Sequence, residues 1–209
     1  MNGHSKESRV RLIHMVTVYL RGTVWLSEHD VLRQERIEKR SFILEHLVKR
    51  AMKGATDAFL ELMTQNTQIL YKTAWSVLRN NEDAADAVSE TILTCFEKIN
   101  TLRKPDAFRT WMIRILLNHC YNILRDQAHF DRSGEVPDFP GSMWEAEPDS
   151  FQELLQDVEE KYSTILTLYY ADELTVCEIA ELTGLNQNTV KTRLKRGREM
   201  VRRSLIHEE

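Results

Sequence analysis

The sequence is poor in the residues that interrupt or cross-link a chain. Seven Gly and four Pro in 209 residues are too few for a collagen-like or low-complexity polymer. The three cysteines, Cys95, Cys120 and Cys177, are far apart, odd in number and form no C-x-x-C pair. That argues against a disulfide framework or a four-cysteine zinc site and fits a reducing compartment. All three read as small apolar core residues. The seven His are scattered, with no H-E-x-x-H and no paired carboxylate–His spacing. No catalytic constellation emerges, so neither an enzyme nor a metal, cofactor or small-molecule substrate is expected. Long apolar runs are missing too. The most apolar early stretch, Leu12 to Leu20, contains His14 and is flanked by Arg11 and Arg21. A membrane helix needs about 20 apolar residues, and a signal peptide needs a cleavage site that is absent. The expected location is the cytoplasm.

Basic excess is also lacking, at first sight. The net charge is −4, a whole-chain value ill suited to phosphate contact. Its distribution reverses that impression. Residues 128–160 hold ten acidic side chains and one basic one, whereas the segments on either side are each net basic. The acidic stretch also contains Pro137, Pro140, Pro148, Gly134 and Gly141. Helix breakers and like charge together resist compaction, so 128–150 reads as a linker. Docking of its Phe139 and Trp144 on a domain or partner is the alternative.

What is present is helical periodicity. No convincing run alternates apolar and polar residues as a half-buried strand would. From Thr56, a suitable N-cap, the residues Phe59, Leu62, Met63, Ile69, Leu70, Trp75 and Leu78 recur at three- and four-residue steps, as one helix face requires. Asn80 and Asn81 end that helix and can cap the next. Val88, Ile92, Cys95, Phe96 and Ile99 form its apolar stripe, opposite Glu82, Asp83, Asp86, Glu90 and Glu97. An acidic face suits a basic protein partner better than DNA. Asn100 to Asp106 reads as a loop, with Pro105 placed to start a helix. Ala107 to Arg125 is apolar on most faces and is expected to be the central helix. Arg103, Lys104, Arg109, Arg114 and Arg125, with Phe108, Trp111 and Tyr121 among them, suit unstacked single-stranded bases; core packing of those aromatics is the alternative.

The C-terminal segment predicts a helix-turn-helix. Thr175 and Glu178 form a capping box. Ile179, Ala180 and Leu182 give the first helix its apolar face. Gly184 sits where the turn needs positive φ. Asn186 can cap the second helix, with Val190 and Leu194 inside. Small Ala180 permits the close crossing such a motif requires. From Lys191 to Arg203 there are seven basic residues, with Glu199 the only acid. The N-terminal part of the second helix reads base edges in such motifs. Gln187, Asn188, Thr189, Lys191, Thr192 and Arg193 occupy that part. Amides can pair with adenine and Arg with guanine. Lys195, Arg196 and Arg198 are placed for phosphates.

Taken in order, AFLELM…LYKTAWSVLRNNEDAADAVSETIL…AFRTWMIRILLNHCYNILR and then LLQDVEEKYSTILTLYYADELTVCEIAELTGLNQNTVKTRLKRGREMVRRSL resemble an extracytoplasmic-function (ECF) sigma factor of bacterial RNA polymerase, nearest to the sigma-V-like subgroup. The resemblance implies an all-α fold of two helical domains. It places an extension at 1–43, sigma region 2 at 44–127, the linker at 128–150 and sigma region 4 at 151–209. It implies that Asp83, Asp86 and Glu90 contact the β′ clamp of core polymerase, and that region 4 meets the β flap. The Asn100–Asp106 loop, with Arg103 and Lys104, would capture a flipped −10 base. Arg109 and the W-x-x-R-I-x-x-N pattern of Trp111, Arg114, Ile115 and Asn118 would serve −10 binding and melting. The helix-turn-helix, including Lys195 and Arg196, would bind the −35 element. The pattern departs at Ser89 and Asn122. Promoter DNA and an anti-sigma factor, membrane-embedded, are the further implied partners, in a cell-envelope stress response. A stand-alone helix-turn-helix regulator of duplex DNA is the alternative.

Residues 1–43 carry no sigma-factor motif. Lys39-Arg40-Ser41 can be encoded AAA AGG AGT, which contains a ribosome-binding sequence, and Leu44 can be encoded TTG, a start codon. The expected start is therefore near Leu44, with a genuine extension as the alternative. Codons other than AGG at Arg40 and TTG or CTG at Leu44 exclude the internal start.

Overall fold

A computed structural model of the chain describes residues 44–133 and 150–207. The 1–43 extension and linker residues 134–149, with Phe139 and Trp144, lie outside the described residues. Among the described residues every regular element is helical. Helix α1 (44–52) ends where Gly54 turns the chain at a φ of 91°, a conformation glycine adopts without a Cβ penalty. That tight turn leaves Ala55 alone in extended conformation before α2 (Thr56–Leu78). Thr56 is thus the first helical residue and not the cap; Ala55 takes the cap position with no side-chain acceptor. Arg79 closes α2 in the left-handed region, its amide donating to the Trp75 carbonyl.

The start of α3 (Asn81–Lys98) follows the sequence reading. The Asn80 side chain accepts from the amides of Glu82 at 2.8 Å and Asp83 at 3.2 Å. Those donors have no partner inside the helix, and the acidic first turn suits the helix dipole. Pro105 opens a 3-10 turn, Pro105–Ala107, that leads into α4 (Phe108–Ser133). Ala107, expected in the helix, therefore lies in the turn. At the other end α4 runs past Arg125 into the stretch read as linker. Phe108, Met112, Ile113, Leu116 and Cys120 of α4 are fully buried, packed with α2 and α3. Each such large apolar side chain contributes about 1.5–3 kcal/mol by burial.

Two positions depart from the expected core. Phe96 of the α3 stripe is 54% exposed, its ring edge-on to Phe59 at 5.1 Å. It falls at the margin of the stripe, where it lies beside Phe59 instead of entering the interior. Cys177 is exposed, in the first turn of a short surface helix, whereas Cys95 and Cys120 are buried. Burial pushes both interior thiols up to about 12, since a low-polarity site penalises the thiolate.

The C-terminal elements are α5 (Ser150–Leu155), α6 (Glu160–Tyr170), α7 (Val176–Thr183) and α8 (Gln187–His207). Helix α6 is buried at every position from Tyr162 to Leu168, because α2 lies against it on one side and α8 on another. Gly197 allows the close approach of α8. A Cβ at that position would sit 2.9 Å from Leu166 Cδ1, inside van der Waals contact. The α2–α6 seam is lined by small hydroxyls. Thr164 Oγ1 donates to the Ser76 carbonyl at 3.2 Å, and Ser163 Oγ approaches the same oxygen at 3.5 Å. The Arg79 guanidinium crosses from α2 to donate to the carbonyls of Leu155 at 2.9 Å and Val158 at 2.6 Å.

Candidate nucleic-acid interface

The helix-turn-helix is built from local hydrogen bonds. Thr175 Oγ1 accepts from the Glu178 amide at 3.2 Å, and Glu178 Oε2 accepts from the Thr175 amide at 2.8 Å. Those two bonds complete the capping box of α7. Glu178 is held below the usual carboxylate range by the hydrogen bonds from Thr175 and Thr110, against an opposing push from desolvation, the largest single influence. Gly184 caps α7 at a φ of 69°. Asn186 Oδ1 then accepts from the Thr189 amide at 2.8 Å and from its hydroxyl at 3.0 Å. Ile179, Val190 and Leu194 lock the two helices together, each almost fully buried.

This packing fixes which face of α8 is presented. Gln187, Asn188, Lys191, Thr192, Lys195 and Arg196 are exposed, and Arg193 is half-buried. Asn188, Thr189, Thr192, Arg193 and Arg196 line a recess of about 580 Å³, with Lys161 and Tyr162 of α6 as its far wall. Two hydroxyls of the set are engaged by the helix itself. Thr189 bonds the Asn186 cap, and Thr192 donates to the Asn188 carbonyl at 2.8 Å. Arg198, expected at phosphates, points elsewhere. Its Nε donates to the Tyr170 hydroxyl at 2.7 Å, and its guanidinium lies 5.7 Å from the ring centres of Tyr169 and Tyr170. One helical turn separates it from Leu194 on the inner face, so it packs on the end of α6 instead of facing solvent.

The residues expected at the single-strand surface are only partly gathered. Asn100, Arg103 and Lys104 are exposed on the loop between α3 and α4, and Asn118 is exposed on α4. Trp111 is half-buried, its ring 6.1 Å from that of Phe108. Arg109 and Arg114 meet α7 and the turn before it. Arg109 Nη1 donates to the Asp172 carbonyl at 3.2 Å and approaches Glu173 Oε2 at 3.3 Å. Arg114 Nη2 donates to Glu181 Oε1 at 2.7 Å. On α3, Asp86 and Glu90 are exposed, while Asp83 is half-buried and accepts from Gln127 Nε2 at 2.9 Å. Leu93, 59% exposed, interrupts the same surface.

Sequence reasoning missed a polar hub at this junction. Asp172 is completely buried, accepting from Thr73 Oγ1 at 2.8 Å through Oδ2. Its Oδ1 and the nearby Arg109 Nε have no hydrogen-bond partner. Desolvation pushes the carboxyl up to about 7, opposed by the Thr73 bond and the charges of Arg109 and Lys72. The lone signal in the sequence is an acid flanking the apolar end of α6, which looks like an ordinary turn residue.

Comparison with known proteins agrees with this architecture. Residues 62–130 match the family model for sigma-70 region 2, and residues 149–201 match that for sigma-70 region 4. The RNA polymerase sigma factor SigV of Bacillus subtilis is 33% identical over 161 residues, covering 75% of this chain and 97% of that protein. The ECF sigma factor SigW of the same organism is 25% identical over 181 residues, covering 78% and 97%. The solved structure of CnrH in complex with the cytosolic domain of CnrY shares the fold, with a TM-score of 0.56, 20% identity and coverage of 80% of this chain and 99% of that one. The sigma factor RpoE of Bartonella quintana, solved with the anti-sigma factor NepR, gives a TM-score of 0.55 at 19% identity, covering 71% and 99%. With the region 2 and region 4 matches in order and a relative at 33% identity spanning three quarters of it, the chain belongs to the sigma-70 family, as an ECF sigma factor that directs promoter-specific transcription initiation.

Proposed function

We propose that the two helical units divide the work of initiation as follows. The exposed acids of α3, Asp86 and Glu90 with Asp83 beside them, dock on the clamp of core polymerase. The loop bearing Asn100, Arg103 and Lys104, together with Arg109, Trp111, Arg114 and Asn118 of α4, takes the −10 strand. Opening that strand disrupts base stacking, and capture of an unstacked base offsets part of the loss. Gln187, Asn188, Thr189, Lys191, Thr192 and Arg193 read the −35 duplex, while Lys195 and Arg196 hold its phosphates. The boundaries at 44–127, 128–150 and 151–209 serve this division, since an acidic linker does not itself bind duplex DNA.

The observation that carries the reading is the α8 face. A capped turn and a buried Ile179–Val190–Leu194 contact hold exposed amides and cations on one helix surface, the arrangement that enters a major groove. The protein has no catalytic step of its own; it supplies positioning to the polymerase. It acts in the cytoplasm and is restrained by an anti-sigma factor, the kind of partner RpoE carries in its solved complex. The sigma-V-like subgroup and a cell-envelope stress signal complete the proposal. Run-off transcription on the DNA upstream of its own gene tests it. A transcript is expected only when chain and core polymerase are both present. No transcript, together with tight specific duplex binding by the chain alone, replaces this reading with a stand-alone regulator.

A further inference from the structure

The recess between α6 and α8 carries charge of one sign. Its volume is about 580 Å³, and its walls include Lys161 of α6 with Arg193 and Arg196 of α8, but no carboxylate. Of the three cations, Lys161 alone has an acid at hand, pairing with the exposed Glu159 at 2.5 Å. Arg193 and Arg196 make no hydrogen bond or ion pair among the described residues, although packing leaves Arg193 half-buried. A guanidinium withdrawn from water without an acceptor loses hydration and gains nothing in exchange. Three cations around one cavity also repel one another. A multiply charged anion between them removes both penalties.

Other features of the recess bear on the kind of anion. A lone phosphate fills only a small part of it, whereas cavities of about 300–1,000 Å³ hold ligands of cofactor size. The Asn188 side chain at its wall carries both a donor and an acceptor, as the edge of a base requires. Tyr121 of α4 is 45% exposed and lies close enough to feel the charges of Glu160 and Arg193. Its open ring is a stacking surface for a base. We propose that the recess is a binding site for a nucleoside triphosphate, its phosphates held by Lys161, Arg193 and Arg196 and its base by Tyr121 and Asn188. Arg193 and Arg196 are also the residues assigned to the −35 duplex, so nucleotide and duplex exclude each other. That exclusion rests on the −35 assignment; the site itself does not.

The test uses the full chain at fixed salt, with N-methylanthraniloyl-ATP as a fluorescent probe. ATP, inorganic triphosphate and a duplex from upstream of its own gene then compete with the probe. Saturable binding is expected, with ATP displacing the probe about five-fold or more better than inorganic triphosphate. Arg193→Gln should weaken probe binding about ten-fold and Lys161→Gln about three-fold. Arg202→Gln, which removes the same charge from an exposed position near the end of α8, should leave it unchanged. Tyr121→Ala should abolish the advantage of ATP over inorganic triphosphate. Circular dichroism verifies that each variant folds. Equal losses in the Arg193, Lys161 and Arg202 variants overturn the site, since the probe then senses only diffuse positive charge. Equal displacement by ATP and inorganic triphosphate overturns the nucleotide class. Duplex binding without probe binding overturns the proposal and leaves the −35 reading intact. Probe binding that the duplex does not displace keeps the nucleotide site and overturns the mutual exclusion.

Discussion

The buried carboxyl of Asp172 makes stability depend on pH in a way that one substitution removes. Asp172 faces Thr73 and Lys72 of α2 and Arg109 of α4, with Glu173 next in its own turn. Its carboxyl moves from an ordinary 3.8 to about 7 on burial. Between those values the native state holds a proton that the unfolded chain has released. Stability therefore falls as pH rises, by about 1.4 kcal/mol for each pH unit over that window, and levels off above about pH 7. The whole effect is roughly 4 kcal/mol. Asp172→Asn keeps an acceptor for Thr73 and abolishes the titration. It also puts an amide donor at the Oδ1 position, which makes no hydrogen bond in the native fold, and a buried donor left unpaired costs about 1–3 kcal/mol. The variant is expected to match the wild type near pH 5 and to exceed it at pH 8, the gap widening by roughly 2–3 kcal/mol. Urea unfolding at constant ionic strength, at half-unit steps from pH 5 to pH 8, measures this directly. Parallel curves for the two proteins would refute the reasoning, because Asp172 would then be ionised throughout and paired with Arg109.

Further outcomes are expected at five positions. Gly197→Ala gains about 1 kcal/mol of helix propensity but drives a Cβ against Leu166 Cδ1, which costs about 1–3 kcal/mol, so a net loss of about 0–2 kcal/mol is expected in thermal unfolding; a variant clearly more stable than wild type contradicts the close approach. Arg198→Ala should destabilise by about 1–3 kcal/mol through the lost tyrosine contacts and leave the salt dependence of duplex binding unchanged. Arg196→Ala should instead lower that salt slope by about 1, and a lowered slope for Arg198 returns it to the phosphates. Arg193→Ala should weaken −35 binding by about 1–3 kcal/mol; an equal loss on scrambled DNA assigns it to the backbone. Asp86→Arg should reduce binding to core polymerase with helicity unchanged, and undiminished affinity removes α3 from that interface.

The elements that the sequence specifies on its own are those whose causes lie within a few residues. Asn80 capping α3, the Thr175–Glu178 box and Asn186 capping α8 all bond to neighbours two or three positions away, and Gly184 needs only its own positive φ. The buried face of α4 and the exposed cations of α8 follow from helical spacing alone. The structure corrected positions where orientation depends on distant packing: Phe96 and Cys177 turn outward, and Arg198 turns inward onto Tyr169 and Tyr170. It alone decided the junction. Arg109, Thr110 and Arg114 find partners 63 to 68 residues away, and Thr73 finds Asp172 at a separation of 99. Periodicity marks a side chain as inward or outward, but it carries no information on which outward faces meet. That is settled when α6 wedges between α2 and α8, bringing the acids beside α7 onto the cations of α4.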